Sequence, residues 1–448
     1  EFNFEKLPIV EIANEIIMDA VNKGASDIHF DPSQDSLKIR FRIDGILSDY
    51  SIIPSKYKRN MISRIKMIAG MNIMETRLPQ DGAIKSKIGE RFLDLRVSSL
   101  PTNNAEKIVI RILDYSMSLA GLDNLGFSED AMEKINRLIK IPNGIILVTG
   151  ATGTGKSTTL YSILQKLNTE AVNIITVEDP VEMDIEGINQ VQTQSEIGLT
   201  FATILRSILR QDPNIIMIGE IRDDETARIA VRASITGHLV LSSLHTNNSL
   251  NTIERLTDMD VERYLLGSSL EGIISQRLAR KVCPECSIKR PTTDYERQVF
   301  KTVLGKDVSE MVVANKEGCP KCTHGYKGRL AILEVLVMNE KIKDAITNGA
   351  NKNTLRELVY TGDVVTLLQD GLNKVVLGET TFEEILKIVD LENDMTQYND
   401  DNLKTNLIMA QQAHKADNKT NDKPITSNIS SEFKIEKTNN ENIETVEF

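Results

Sequence analysis

Apolar residues recur along this chain in three ways: at helical spacing, in strict alternation and in short unbroken runs. Ile9, Ile12, Ala13, Ile16, Ile17 and Ala20 fall on one side of a 3.6-residue period, so Ile9 to Val21 is expected to be a helix. Leu37 to Ile43 alternates apolar with basic residues and runs into Asp44-Gly45, which predicts a strand entering a hairpin turn. Phe92 to Val97 and Ile108 to Leu113 alternate in the same way. From Asp114 to Ser128 the pattern lapses, and Gly121 and Gly126 make this stretch a hinge candidate.

Beyond the lapse the strand candidates are short, mainly apolar runs: Gly144 to Thr149, Asn173 to Val177, Ile215 to Gly219 and Leu239 to Leu244. Helical patterns lie between them, as expected of a parallel sheet covered on both faces, reaching to about residue 275. Residues from about 281 to 330 carry the cysteines, and a helical stretch is expected from there to about 390. After Glu392 the chain is rich in Asn, Lys, Asp, Glu and Thr with only scattered hydrophobics, a composition expected to stay disordered because it buries too little to offset its ordering entropy.

The run ending at Thr149 meets Gly150-Ala151-Thr152-Gly153-Thr154-Gly155-Lys156-Ser157, followed by Thr158 and a helix with apolar residues at Leu160, Ile163 and Leu164. Strand, glycine loop and helix in that order form a phosphate cradle. Glycines let backbone N–H groups turn inward, and the helix N-terminus adds positive potential. In this pattern Lys156 reaches β- and γ-phosphates and Ser157 ligates Mg²⁺, so the chain is expected to bind a nucleoside triphosphate.

Acidic groups for the metal and the attacking water come from carboxyl ends of neighbouring strands. Two candidate strands end acidic, Thr176-Val177-Glu178-Asp179-Pro180-Val181-Glu182 and Gly219-Glu220; a third ends in Leu244-His245-Thr246. One such carboxylate alone is as readily a helix cap or a solvated loop charge; three polar strand ends beside one phosphate loop point to chemistry. His238 and His245 bracket the third strand, roughly 23 Å apart at full extension, so both cannot touch one phosphate. His245, at the carboxyl end, is the candidate.

The 448 residues imply two or three domains, and no apolar run approaches a membrane span. A formal charge of −11 argues against a nucleic-acid motor or a zinc-knuckle nucleic-acid binder holding ATP as a structural ligand. All four cysteines lie in Cys283-Pro284-Glu285-Cys286 and Cys319-Pro320-Lys321-Cys322. Two such knuckles, about thirty residues apart, suit a tetrahedral structural zinc, with redox thiols and buried free cysteines as the alternatives. His324 is left no coordination role.

Four boxes stand in order: the phosphate loop, Thr176 to Glu182, Gly219-Glu220-Ile221-Arg222-Asp223, and Thr236 to Thr246 with its two histidines. With Gly24 to His29, Arg40 to Gly45 and Arg77 to Gly82, they are similar to the motifs of the secretion ATPase superfamily that drives type II secretion and type IV pilus assembly. The resemblance covers about residues 5 to 390. It implies an α/β fold: a RecA-like P-loop core, a small PAS-like N-terminal α/β domain and an inserted zinc module. The expected division is 1–115, N-terminal domain; 116–128, hinge; 129–280, core; 281–330, zinc module; 331–391, helical region; and 392–448, acidic tail.

The resemblance also implies roles. Glu182 becomes the general base or water-positioning group, and Glu220 supports Mg²⁺ and the γ-phosphate. Arg96 and Arg111 match arginines that reach the phosphates when the N-terminal domain closes. The family works as a homohexamer at the cytoplasmic face of the inner membrane, with a membrane platform protein as partner. The cysteine module, Gly325 to Arg329 and Leu368 to Leu372 resemble extension and secretion motors rather than retraction motors. A cytosolic ATPase that powers assembly of a type IV pilus or pseudopilus is therefore expected, with the type II secretion ATPase, which shares these motifs, as the alternative. Many extension motors carry a further N-terminal docking domain, whereas this chain starts at Glu1-Phe2; a truncated chain and a shorter branch such as competence-pilus motors both fit.

Overall fold

A computed structural model describes residues 7–88, 91–114 and 121–389. The tail expected to be disordered, and the 116–120 part of the hinge candidate, lie outside them.

The first helix, Ile9–Asn22, forms where the apolar period placed it and buries Ile12, Ala13, Ile16, Ile17 and Ala20. Six strands follow: β1 (Ala25–Pro32), β2 (Ser36–Ile43), β3 (Ile46–Pro54), β4 (Gln80–Ile88), β5 (Arg91–Pro101) and β6 (Glu106–Asp114). They form one antiparallel sheet in the order β3-β2-β1-β6-β5-β4. The β2–β3 turn is Asp44-Gly45, both with positive φ (50° and 85°), as a two-residue hairpin with right-handed strand twist requires. Alternation divides the sheet's faces. Ile28, Phe30, Leu37, Ile39, Phe41, Leu95, Val97, Ile108 and Ile110 pack under the helices Ile9–Asn22 and Ser55–Ile68. The residues between them, including Asp27, Arg40, Arg96 and Arg111, occupy the other face, which is therefore polar and charged. Lys66 is buried in this unit and satisfied by Glu106 Oε1 and the Glu75 carbonyl, both at 2.6 Å.

The second sheet has seven strands: β7 (Gly144–Thr149), β8 (Ile174–Glu178), β9 (Asn189–Gln192), β10 (Ile215–Ile218), β11 (Leu239–Leu244), β12 (Leu270–Val282) and, after a small antiparallel pair β13 (Ile288–Pro291) and β14 (Glu310–Val313), β15 (Tyr326–Val337). Their order is β15-β12-β7-β11-β10-β8-β9. β7 to β12 run parallel, and β15 closes the edge antiparallel to β12. The sheet is thus mixed, not wholly parallel. Residues 331–337, expected to begin a helical stretch, are strand; a short, mostly apolar run interrupted only by Glu334 does not distinguish a buried strand from a helix by period alone. Separate apolar clusters cover its two faces. A fourth cluster joins the helices Asp294–Leu304, Leu367–Val376 and Phe382–Ile388 to Ala279, Leu330 and Ile332. Among the described residues, no helix is long and apolar enough to cross a membrane.

The two sheets meet through polar contacts. Gly328 donates its backbone N–H to Asp44 Oδ2 at 3.0 Å, and Arg96 reaches Glu182. In the expected hinge region, the Gly126 carbonyl accepts from the buried Lys374 ammonium at 2.9 Å.

Candidate active site and cysteine cluster

Between β7 and the helix Lys156–Leu167 the backbone passes through Gly150, Gly153 and Gly155 with φ of 151°, 78° and 88°, values L side chains rarely adopt. Space imposes the same choice: a Cβ on Gly150 would lie 2.6 Å from the Gln276 carbonyl, and one on Gly155 would lie 2.7 Å from Gln276 Nε2. Gln276, from β12, grips the loop by donating to the Thr154 carbonyl at 2.8 Å and accepting from Thr159 Oγ1 at 2.7 Å. Ser157 is exposed in the first turn of the helix. Lys156 Nζ rests on the Gly150 and Ala151 carbonyls at 2.9 and 3.0 Å. Burial lowers its pKa; Glu220 opposes that shift and Arg277 reinforces it. An ammonium disfavoured in this way gains when a polyanion arrives.

Glu220 follows β10, and His245 follows the adjacent β11. Glu220 accepts from Arg222 Nη2 at 2.5 Å, and its other oxygen lies 3.2 Å from His245 Nε2. Burial works to raise its pKa, but Arg222 and His245 outweigh burial and hold the carboxyl below the usual range. His238 sits at the other end of β11, with Nδ1 2.8 Å from the Ala233 carbonyl. The strand separates the two histidines as its length requires.

Glu182 lies on the loop after β8, with Oε2 2.9 Å from Arg96 Nη2. Arg96 and Arg111 are directly opposed on β5 and β6. Like charges so placed repel; Arg96 is compensated by Glu182, and Arg111 by Asp27, with Nε 3.0 Å from Oδ1. The structure therefore brings Arg96 to the loop of Glu182 and leaves Arg111 on its own sheet. Lys156, Glu220 and His245 gather at the carboxyl edge of the second sheet.

Four residues of this edge were not singled out from the sequence. Gln276 and Arg277 lie on β12, a strand the apolar pattern did not reveal; Arg277 donates to the Gln276 carbonyl at 3.1 Å and to Asn247 at 3.0 Å. Glu178 lies within a quoted motif and Tyr161 on the helix that follows the phosphate loop, but their contact across 17 positions exists only once β8 packs beside that helix.

The four cysteine sulfurs lie within 4.8 Å of one another. Cys283–Cys319, Cys286–Cys322 and Cys319–Cys322 are 3.8, 3.7 and 3.6 Å apart, non-bonded distances. A tetrahedral ion with sulfur bonds of about 2.3 Å separates its ligands by about 3.8 Å, so the donor set and spacing fit a metal ion. Gly325 makes the second knuckle possible: with φ 81°, a Cβ there would stand 2.4 Å from the Asn315 carbonyl.

Residues 3–387 match the family model described as "Type II/IV secretion system protein". The chain belongs to that family. It is 45% identical over 382 residues to the putative type II secretion system protein E of Escherichia coli K12, covering 85% of this chain and 77% of the relative. It is 45% identical over 381 residues to the type IV pilus assembly ATPase PilB of Myxococcus xanthus, covering 85% and 67%. Among solved structures it is similar to the pilus retraction motor PilT with bound ADP, at a TM-score of 0.52 and 26% identity over 82% of this chain and 96% of that one. Family membership and a complete phosphate loop make this chain a secretion-type ATPase.

Proposed function

We propose that this chain is a homohexameric motor at the cytoplasmic face of the inner membrane. It hydrolyses ATP to drive assembly of a type IV pilus or a pseudopilus through a membrane platform protein. The observation that carries this reading is the 2.9 Å contact between Arg96, on the polar face of the first sheet, and Glu182, beside the phosphate loop. It puts a cation of one α/β unit against the candidate base of the other, which supports a link between nucleotide state and the relative position of the units. The PAS-like reading of the first unit, the RecA-like reading of the second and the six-part division of the chain belong to this proposal.

In this scheme the triphosphate lies over Gly150 to Thr158, with Lys156 at the β- and γ-phosphates. Ser157, with support from Glu220, would hold Mg²⁺, which would supply neutralisation of the phosphate charge. Glu182 takes a proton from water as the water oxygen bonds to the γ-phosphorus. The bond from that phosphorus to the bridging oxygen breaks, and its electron pair leaves with ADP. Arg96, joined by Arg111 on closure, stabilises the charge that develops. Little covalent chemistry is required of the protein, so placement of these groups supplies most of the rate.

The cellular test replaces the chromosomal gene with one encoding Glu182→Gln. Loss of surface filaments is the expected result for a pilus motor, and loss of exoprotein secretion is the expected result for a type II secretion motor. Both filaments and secretion persisting at wild-type level would contradict the proposal.

Zinc is proposed as the ion of the cysteine cluster, at one per chain. Because such a site exists only in the folded chain, binding contributes directly to local folding. Cys319→Ser is expected to abolish stoichiometric zinc in elemental analysis and to lower the melting temperature. Protein purified under reducing conditions without zinc would exclude this assignment.

A further inference from the structure

The Glu182 loop is held from below by a buried polar network that the roles above do not use. Glu178, at the end of β8, is 3% exposed, and Tyr161, on the phosphate-loop helix, is 2% exposed. The Tyr161 hydroxyl donates to Glu178 Oε2 and accepts the backbone N–H of Glu182 at 3.1 Å. Glu178 Oε1 accepts from Thr176 Oγ1 at 2.5 Å and from Gln190 Nε2 at 3.1 Å. Gln190 then holds the loop at two further points: it donates to the Met183 carbonyl at 2.9 Å and accepts the Ile185 N–H at 2.7 Å. Gln192 accepts the Val181 N–H at 3.2 Å. Backbone groups of Val181, Glu182, Met183 and Ile185 are therefore all pinned by side chains from β9 or the phosphate-loop helix.

Glu178 has two hydroxyls and an amide aimed at it and is sealed from solvent, so it is not placed to meet a metal or a phosphate. Burial, then the neighbouring carboxylate, hold the Tyr161 phenol above its ordinary pKa, so it keeps the proton it donates. Tyr161 stands five positions after Lys156 on the same helix. The Tyr161 hydroxyl thus links the helix that begins at the group gripping phosphate directly to the loop that carries Glu182.

We infer that Tyr161, anchored by Glu178, is a positioning residue for hydrolysis: it fixes the Glu182 backbone relative to the phosphate-loop helix, so that the carboxylate meets the water in line with the γ-phosphate. The inference rests on the reading of Glu182 as the group acting on water. Displacement of a catalytic group by about an ångström costs up to about a hundredfold in rate, while ground-state phosphate contacts need not change.

The test is Tyr161→Phe in the full chain, which removes one oxygen and keeps the ring. Phosphate release from ATP and binding of a non-hydrolysable ATP analogue are measured for this variant, for Glu182→Gln and for the double variant. Tyr161→Phe is expected to lower kcat by about ten- to a hundredfold and to leave analogue affinity within about twofold. In the Glu182→Gln background it is expected to remove nothing further, because the hydroxyl acts through Glu182. Gln190→Met removes different struts of the same loop and is expected to give the same split, which keeps the test available if Tyr161→Phe folds poorly. Unchanged kcat, affinity falling in step with kcat, or an equal further loss in the Glu182→Gln background would each overturn the positioning role while leaving Glu182 as read. Wild-type hydrolysis by Glu182→Gln alone would overturn the reading of Glu182 and this role with it.

Discussion

Arg96→Ala is expected to lower the turnover of ATP by about a thousandfold, since an arginine completing a phosphoryl-transfer site is worth that much or more. Its guanidinium is a planar fork that suits carboxylate and phosphate alike. Here it is held 2.9 Å from Glu182, on the strand directly opposite Arg111. Both partners of this pair are about one-third exposed, at 33% and 32%. Exposed pairs contribute about 0–1 kcal/mol to stability, so the melting temperature should barely move. A large rate loss without a stability loss would place the effect in the chemistry. Arg111→Ala is expected to cost less, because Arg111 is engaged with Asp27 and must first leave it.

Arg96 and Glu182 meet within one chain, so the arginine is expected to serve its own subunit. Mixing Arg96→Ala chains with Glu182→Gln chains should therefore restore no turnover. Recovered activity in mixed rings would show that the arginine acts on a neighbour. Wild-type turnover by Arg96→Ala would reduce the pair to a surface charge contact.

Much of this arrangement was legible in the sequence because its elements obey simple periods. β7 and β11 have the expected bounds, Gly144–Thr149 and Leu239–Leu244, since short runs led by apolar residues and flanked by glycine and polar residues leave few alternatives. The Asp44-Gly45 hairpin was readable from its turn residues. β12 was not. Its apolar residues Ile273, Ile274 and Leu278 neither alternate nor form an unbroken run, because its first half is buried on both faces while Arg277, Arg280 and Lys281 serve the edge. Missing that strand hid Gln276, which grips the phosphate loop, and Arg277 beside it. Glu178 illustrates a second limit. A carboxylate at a strand end next to a phosphate loop looks like a catalytic group, and only packing shows that hydroxyls and an amide enclose it.

Glu182→Gln is expected to bind ATP as the unsubstituted protein does and to hydrolyse it about a hundred- to ten-thousandfold more slowly, the range a positioned general base supplies. The amide keeps the size of the side chain and can still accept from Arg96, so the loop held by Tyr161, Gln190 and Gln192 should stay in place. What is lost is the ability to take a proton. Lys156→Ala should fail differently. Its ammonium is held on the Gly150 and Ala151 carbonyls, ready to exchange them for phosphate oxygens, and its removal should abolish tight binding before any chemistry begins. The most direct measurement is therefore a nucleotide titration paired with single-turnover phosphate release on the same preparations of these two variants. Binding without hydrolysis for Glu182→Gln, and loss of binding for Lys156→Ala, is the predicted result. Phosphate release by Glu182→Gln at the wild-type rate would contradict the account.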